Sequence, residues 1–484
     1  MRYKSIPMEA RGTTPSGETA YLFRHALLRK GAYELQPPSD RSRLHELAFH
    51  LIEQAFGGRA PELAPLDPPN TETTQPHPSD TVAAELAEHA RLALEGSAPD
   101  GGDHWVTRRR QYLRRAAEYA QRLYQPEASR HWEQLASVTE GAVRGEALRR
   151  AGSVHDDRGE SGRAYALYEL ALSEQRPSGN KRGEGAILQS IAGALSRLGR
   201  MQEAEAAYEQ ALAVLRSAGQ DRLEGATLSN LASLHHHLGR LEKARQTYEL
   251  ALTMHRRSGN RRAEGIVLGN LALLDQQTGR LEESEHGHTR ALTIHLEVGN
   301  RRFEGMALAN LAILQLYAGR LESAEAGYQQ ALAIAREVGD RYLEGTTLGN
   351  LAGLYCDTGR TMPAERAYAS ALELFRELGN LRSEGVTLGN MAMVYLNLGR
   401  LELAEHAMTR ALELHRRVGN RRFEGIHLCD YATLLVRLGR QEEARGAWQR
   451  GASRLREMND QADLEVKLLA MGNACDEAGV PPFE

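Results

Sequence analysis

Few residues of this chain are of types that could do chemistry, and most of them fail on spacing. Gly12–Thr19, GTTPSGET, has the glycine spacing of a loop that cradles phosphate. Glu18 stands where a lysine would reach the phosphates, however, and an anion there repels them. His235, His236 and His237 are consecutive; neighbours on a helix point about 100° apart, so the three cannot face one metal ion. His286 and His288 form an HxH, and His288 falls at a packing position described below, which predicts a core residue. Cys356, Cys429 and Cys475 form no CxxC pair, so neither a disulfide framework nor a thiolate zinc site is indicated. The chain has no GxSxG or HExxH signature. No catalytic, cofactor or metal site is expected.

One polar column stands apart. Asn230, Asn270, Asn310, Asn350 and Asn390 recur at a fixed interval, with Ser190 and Asp430 at the ends. Asparagine is a mediocre helix former, so its return in mid-helix needs a reason. A side-chain amide offers a donor and an acceptor, and a ladder of amides could follow the N–H and C=O groups of an extended peptide. The rival reading is that each amide bonds the neighbouring unit and straightens the stack.

The elements that must position this column are repeats. Gly-Arg recurs every forty residues from Gly199 to Gly439, a second glycine from Gly179 to Gly419, and Glu-Gly from Glu184 to Glu424. Each unit reads as two helices. Leu228, Leu231, Ala232, Leu234 and Leu238 make one apolar stripe at helical spacing; Leu241, Ala244, Tyr248, Ala251 and Leu252 make the next. A glycine able to adopt the left-handed conformation ends each helix, and Asn260 is placed to cap the one that follows. Small residues repeat at Ala192 to Ala432, Ala204 to Ala444 and Ala211 to Gly451. A large residue follows the second column by four positions, at Tyr208, Tyr248, His288, Tyr328, Tyr368, Met408 and Trp448. Neither helix could bury its stripe alone; stacked pairs can.

This small-and-large code resembles the tetratricopeptide repeat family over roughly residues 105 to 484. The forty-residue form, with GN or GD between units and LGNLA in the first helix, is similar to the repeats of the spindle adaptor Pins and of kinesin light chain. The resemblance implies an all-α fold, a solenoid of helix-turn-helix pairs. In members of the family that clamp peptides, the position of the five asparagines lines the concave groove. The same register places Ile266, Leu273, Met306, Ile313, Tyr317, Met393 and Leu396 on that groove, with Cys429 beside them. The proline that closes the shorter form of the repeat is missing, which predicts a longer second helix.

The chain divides into a flexible N-terminus (1–19), a winged-helix-like segment (20–56), a Pro/Gly-rich linker with one helix (57–104), degenerate repeats (105–180), seven regular repeats (181–460) and a capping helix with tail (461–484). Pro61–Asp80 reads as disordered. Residues 20–53 resemble a segment of bacterial STAND signalling ATPases, on Phe23, His25, Ala26, Leu27, Tyr33, Leu44 and His45. That resemblance implies a sensor acting with a separately encoded ATPase or effector.

A formal net charge of -4 gives no general attraction to nucleic acid or an anionic membrane. The arginine pairs at 261–262, 301–302 and 421–422 are interleaved with Glu264, Glu304 and Glu424, which predicts a solvated ridge of local ion pairs. The absence of a signal peptide, of a membrane span and of a cysteine framework predicts a cytoplasmic protein. The expected partner is another protein or an extended peptide, held by a non-enzymatic scaffold or regulator. Self-association is unspecified.

Overall fold

The computed structural model describes residues 33–66, 75–95, 102–458 and 460–483. All regular structure among them is helical. They fall into two compact units, one ending at Leu238 and one starting at Gly239. The first contains α1 (Pro38–Ala55), α2 (Ala83–Leu94), α3 (Gly102–Arg122), α4 (Glu127–Ser137), α5 (Gly141–Asp157), α6 (Ser161–Gln175), α7 (Lys181–Arg197), α8 (Met201–Ser217) and α9 (Asp221–His237). The second opens with α10 (Leu241–Arg257) and continues as pairs: α11 (Arg261–Gln277) with α12 (Leu281–Glu297), α13 (Arg301–Tyr317) with α14 (Leu321–Glu337), α15 (Arg341–Asp357) with α16 (Thr361–Glu377), α17 (Leu381–Asn397) with α18 (Leu401–Val418), and α19 (Arg421–Arg437) with α20 (Gln441–Glu457). A last helix, α21 (Gln461–Ala478), packs on α19 and α20. Within each unit, helices pack chiefly on their neighbours in sequence, as in an all-α solenoid. The two helices of each regular pair from α11 to α16 have the same length, 17 residues.

The packing code works by volume. Ala272, Ala312, Ala352 and Ala432 are at 0% exposure, as are Ala324, Ala364, Ala404 and Ala444, so backbones approach closely at these columns. The large column fills the space beside them: Tyr248 and Tyr328 are at 1% exposure, His288 and Trp448 at 0%. A Cβ on Gly327 would come 3.0 Å from the Cβ of Ala312, which shows how little room the small columns leave. Gly279 ends α11 at φ 77°, a conformation a side chain would strain. Asn260 caps α11 by accepting from the Ala263 N–H at 3.3 Å, and Asp340 caps α15 through Leu343 at 3.0 Å.

The described parts of Pro61–Asp80 are held onto α3. Asp80 is buried between Arg115, at 2.8 Å, and Arg122, at 3.1 Å. Gln111 donates to the Ala60 carbonyl and Arg115 to the Pro61 carbonyl. These charged and carbonyl contacts fix the two described ends of this segment. Residues 67–74 and Gly12–Thr19 lie outside the described residues. So do Phe23, His25, Ala26 and Leu27; the described part of 20–56 contains α1 and no strand. Among the described residues, no helix is long and apolar enough to cross a membrane.

Candidate functional site

The asparagine column does not have one fate. Asn270, Asn310 and Asn350, on α11, α13 and α15, are half-buried, and among the described residues no other group pairs with their amides. Asn230, on α9 in the first unit, is exposed. A half-buried amide without a partner keeps part of its desolvation cost, which a ligand could relieve.

Asn390, on α17, is engaged. His427 Nε2 lies 3.4 Å from its Oδ1, His415 Nε2 lies 2.9 Å from His427 Nδ1, and the Asn420 amide nitrogen lies 3.3 Å from His415 Nδ1. The ends of this chain set its direction. The Asn420 nitrogen can only donate and the Asn390 oxygen can only accept, so both imidazoles carry their proton on Nε2. Burial drives the His415 pKa down to about 4 and holds that of His427 well below its ordinary value. A Cβ on Gly389 would fall 2.1 Å from the His427 ring, so glycine there makes room for the imidazole.

Asp430, one pair further on, is closed off. Lys467 of α21 donates to its Oδ1 at 2.6 Å, and the carboxylate is buried. Burial pushes the Asp430 pKa up, against the pull of Lys467. The last helix therefore occupies the rung that would continue the column.

The side chains expected beside the column are placed unevenly. Tyr317 is 66% exposed, Met306 38% and Leu273 37%, while Ile266, Ile313 and Met393 are half-buried. Leu396 and Cys429 differ from the reading. Leu396 is 4% exposed and sits in the core formed with Met408 and Leu412, because the close approach of α17 and α18 covers it. Cys429 is 1% exposed and turned towards Gly451; burial raises its thiol pKa to about 12, far from a reactive thiolate.

Tyr342, 52% exposed, escaped the sequence reading. It stands two turns before Asn350, where the other repeats carry Arg262, Arg302, Arg382 and Arg422, and that break in an arginine column was the available signal. Arg302 and Arg422 are each tied to the next inter-helix aspartate, Asp340 and Asp460, at 2.6 Å. Arg262 and Arg382 meet Asn300 and Asn420 at those places in the repeat and have no acid partner among the described residues.

Burial works against the Arg422 cation, but Asp460, Asp463 and the Tyr317 phenol together raise its pKa. Tyr317 belongs to α13 and Arg422 to α19, three pairs later.

The remaining candidates fall to structure. His288 is fully buried with a pKa lowered to about 4 by desolvation. His235 is buried while His237 is exposed, so the histidine run splits between faces. Among the described residues, no group of three or more His, Cys, Asp or Glu could hold a metal ion. The paired arginines form ion pairs within each helix pair: Arg261 with Glu264 at 2.7 Å and Glu297 at 2.5 Å, Arg301 with Glu304 at 2.5 Å and with Glu337.

Comparison with known proteins agrees with the repeat fold. Family models for the tetratricopeptide repeat match residues 223–297, 263–337, 303–377 and 383–457, and a further one matches 185–218. No curated protein matches the chain. Among solved structures, a Signal Transduction ATPase with Numerous Domains (STAND) protein with a tetratricopeptide repeat sensor, from Pyrococcus horikoshii, has a TM-score of 0.53 at 14% identity, covering 93% of this chain and 68% of that one. The apo form of the quorum sensor NprR from B. thuringiensis has a TM-score of 0.51 at 13% identity, covering 69% and 99%. A putative kinesin light chain from Podosopora anserina, with nearly identical repeats, has 0.35 at 17%, covering 41% and 99%. At these identities the likeness is one of fold.

Proposed function

The chain belongs to the tetratricopeptide-repeat family, and from that premise we propose that it is a non-enzymatic scaffold or regulator that holds an extended segment of a partner protein in the concave groove of its second unit. The observation that carries this reading is the set of unpartnered, half-buried amides at Asn270, Asn310 and Asn350. An extended strand presents N–H and C=O groups in alternation, and each amide can pair with one of each. Leu273, Met306, Ile313 and Tyr317 supply an apolar floor between the rungs, and Arg262 and Arg382 favour acidic side chains on the bound segment. Asp430 and Lys467 close the ladder, so the segment does not run past α19.

The test is affinity capture from the native cell with the wild-type chain and with Asn270→Ala/Asn310→Ala/Asn350→Ala, after both are shown to have the same helical content and melting point. Each lost bond is worth about 1 kcal/mol, so a partner bound through all three should be held roughly a hundredfold less tightly by the variant. Equal retention by both proteins would sink the ladder.

A second reading is a sensor of the STAND type acting on a separately encoded ATPase. The match of Tyr33, Leu44 and His45 to the STAND segment supports it, as does the fold likeness over most of the chain. Co-purification of an ATPase that survives the triple substitution would favour it.

A further inference from the structure

A second site lies away from the asparagine column, where α18 ends, α19 begins and the C-terminal half of α20 passes. A cleft of about 910 Å³ opens there, lined by Arg416, Arg421, Arg450 and Arg454 with Glu424 and Glu457. Its size is that of a small-ligand site. Four guanidinium groups face two carboxylates, and the pairing among them is unlike that in any earlier repeat.

Two substitutions in the repeat pattern produce the difference. The position of Arg454 is apolar in every other regular unit: Val214, Met254, Ile294, Ile334, Leu374 and Leu414. Arg454 takes Glu424 at 2.5 Å, and Arg416 takes it at 3.1 Å from the other side. Arg421 is thereby left out. Its counterparts Arg261 and Arg301 each hold the glutamate three residues on and a second one from the next helix, and Arg341 does the same with Glu344 and Glu377. Arg421 pairs with neither Glu424 nor Glu457. Arg450 has no acid partner among the described residues, for a simpler reason. Its counterpart Arg410 holds Glu413 at 2.9 Å, whereas the residue three beyond Arg450 is Ser453.

Among the described residues two arginines are thus free of acid in one cleft that also holds the Gln449 amide and Ser453, whose hydroxyl donates to Glu457 at 3.3 Å. A single carboxylate satisfies one guanidinium fork, and Glu457 already lines the cleft without pairing with Arg421. A tetrahedral dianion presents enough oxygens for two forks and balances both uncompensated charges. We propose that this cleft binds a phosphoryl dianion, with Arg421 and Arg450 as its principal ligands and Arg454 as the residue that keeps Arg421 available.

The test is calorimetric titration of the full chain with inorganic pyrophosphate, inorganic phosphate and a phosphoserine peptide, with acetate as the monoanion control. Saturable binding of a phosphoryl probe, absent with acetate, is expected. Arg421→Gln/Arg450→Gln should weaken it at least tenfold. Arg454→Leu restores the residue type of the other repeats; it should return Arg421 to Glu424 and weaken binding comparably while leaving the melting point unchanged or raised. Tighter binding of the peptide than of the free anions would point to a phosphorylated partner, and the reverse order to a free metabolite; either supports the site. Absence of saturable binding to all three probes overturns it. So does undiminished binding by both variants, which would mark an adventitious ion only.

Discussion

Asn350 and Asp430 occupy the same place in their helices, two pairs apart, and do opposite things. Asn350 is half-buried with its amide unpaired, while Asp430 is buried and tied to Lys467. Asn390 lies between them in sequence and in character, its oxygen used by His427. Position in the repeat puts all three on one face. What packs beside each decides whether it can meet a ligand. The open rungs are therefore a property of the middle of the second unit, and its last helix sets where they stop.

The closed end is the place to break this contrast most sharply. Lys467→Ala leaves the Asp430 carboxylate buried without its cation, and urea unfolding followed by circular dichroism should show a loss of about 3–5 kcal/mol. Adding Asp430→Asn, which restores the residue of the open rungs, should recover most of that loss. If the single variant unfolds like the wild type, Asp430 is not closed by Lys467.

Acid should separate the two stretches next. The pKa of His415 is about 4 in the folded chain, below the ordinary value of 6.5 that applies once it is unfolded. The unfolded state therefore takes up the proton first. Above pH 6.5 this group costs nothing, stability falls as pH drops from about 6.5 to 4, and below that the loss levels off at about 3 kcal/mol. His427 adds to the fall in the same direction. Replacing the pair with residues from the same positions of the preceding unit, His415→Phe/His427→Thr, should flatten the melting temperature against pH over that range. A profile as steep as the wild type would place the acid sensitivity elsewhere.

A finer comparison sets two alanine variants side by side. Asn390→Ala strands the buried His427 Nε2–H and should cost about 1–3 kcal/mol. Asn350→Ala breaks no bond within the chain and should stay within about 0.5 kcal/mol of the wild type, whatever it does to partner binding. Equal losses would mean that Asn350 has a structural partner after all.

Much of the fold is legible in the residues. Ala272, Tyr248 and Gly279 could be assigned to packing and turns because each is dictated by its own helix and by the neighbour one repeat away, and the code recurs often enough to be read. Leu396 and Cys429 were legible only in part. Helical spacing places a side chain to within a turn, whereas burial depends on how closely the next helix approaches. Tyr342 was missed because the eye follows the residues that repeat, and it is the one that breaks its column.

The sequence by itself determined the helix pairs, their period, the columns of small and large side chains and the alignment of the asparagines on one face, since all of these follow from periodicity within a few turns of chain. Only the tertiary structure decided which rungs are open. Lys467 reaches Asp430 and His427 reaches Asn390 from the following repeat, at positions where no other unit carries the same residue, so no pattern announces them. The same holds for the arginine cleft. Glu424 can pair with one set of cations or another, and the choice between Arg421 and Arg454 is made by proximity in the packed stack.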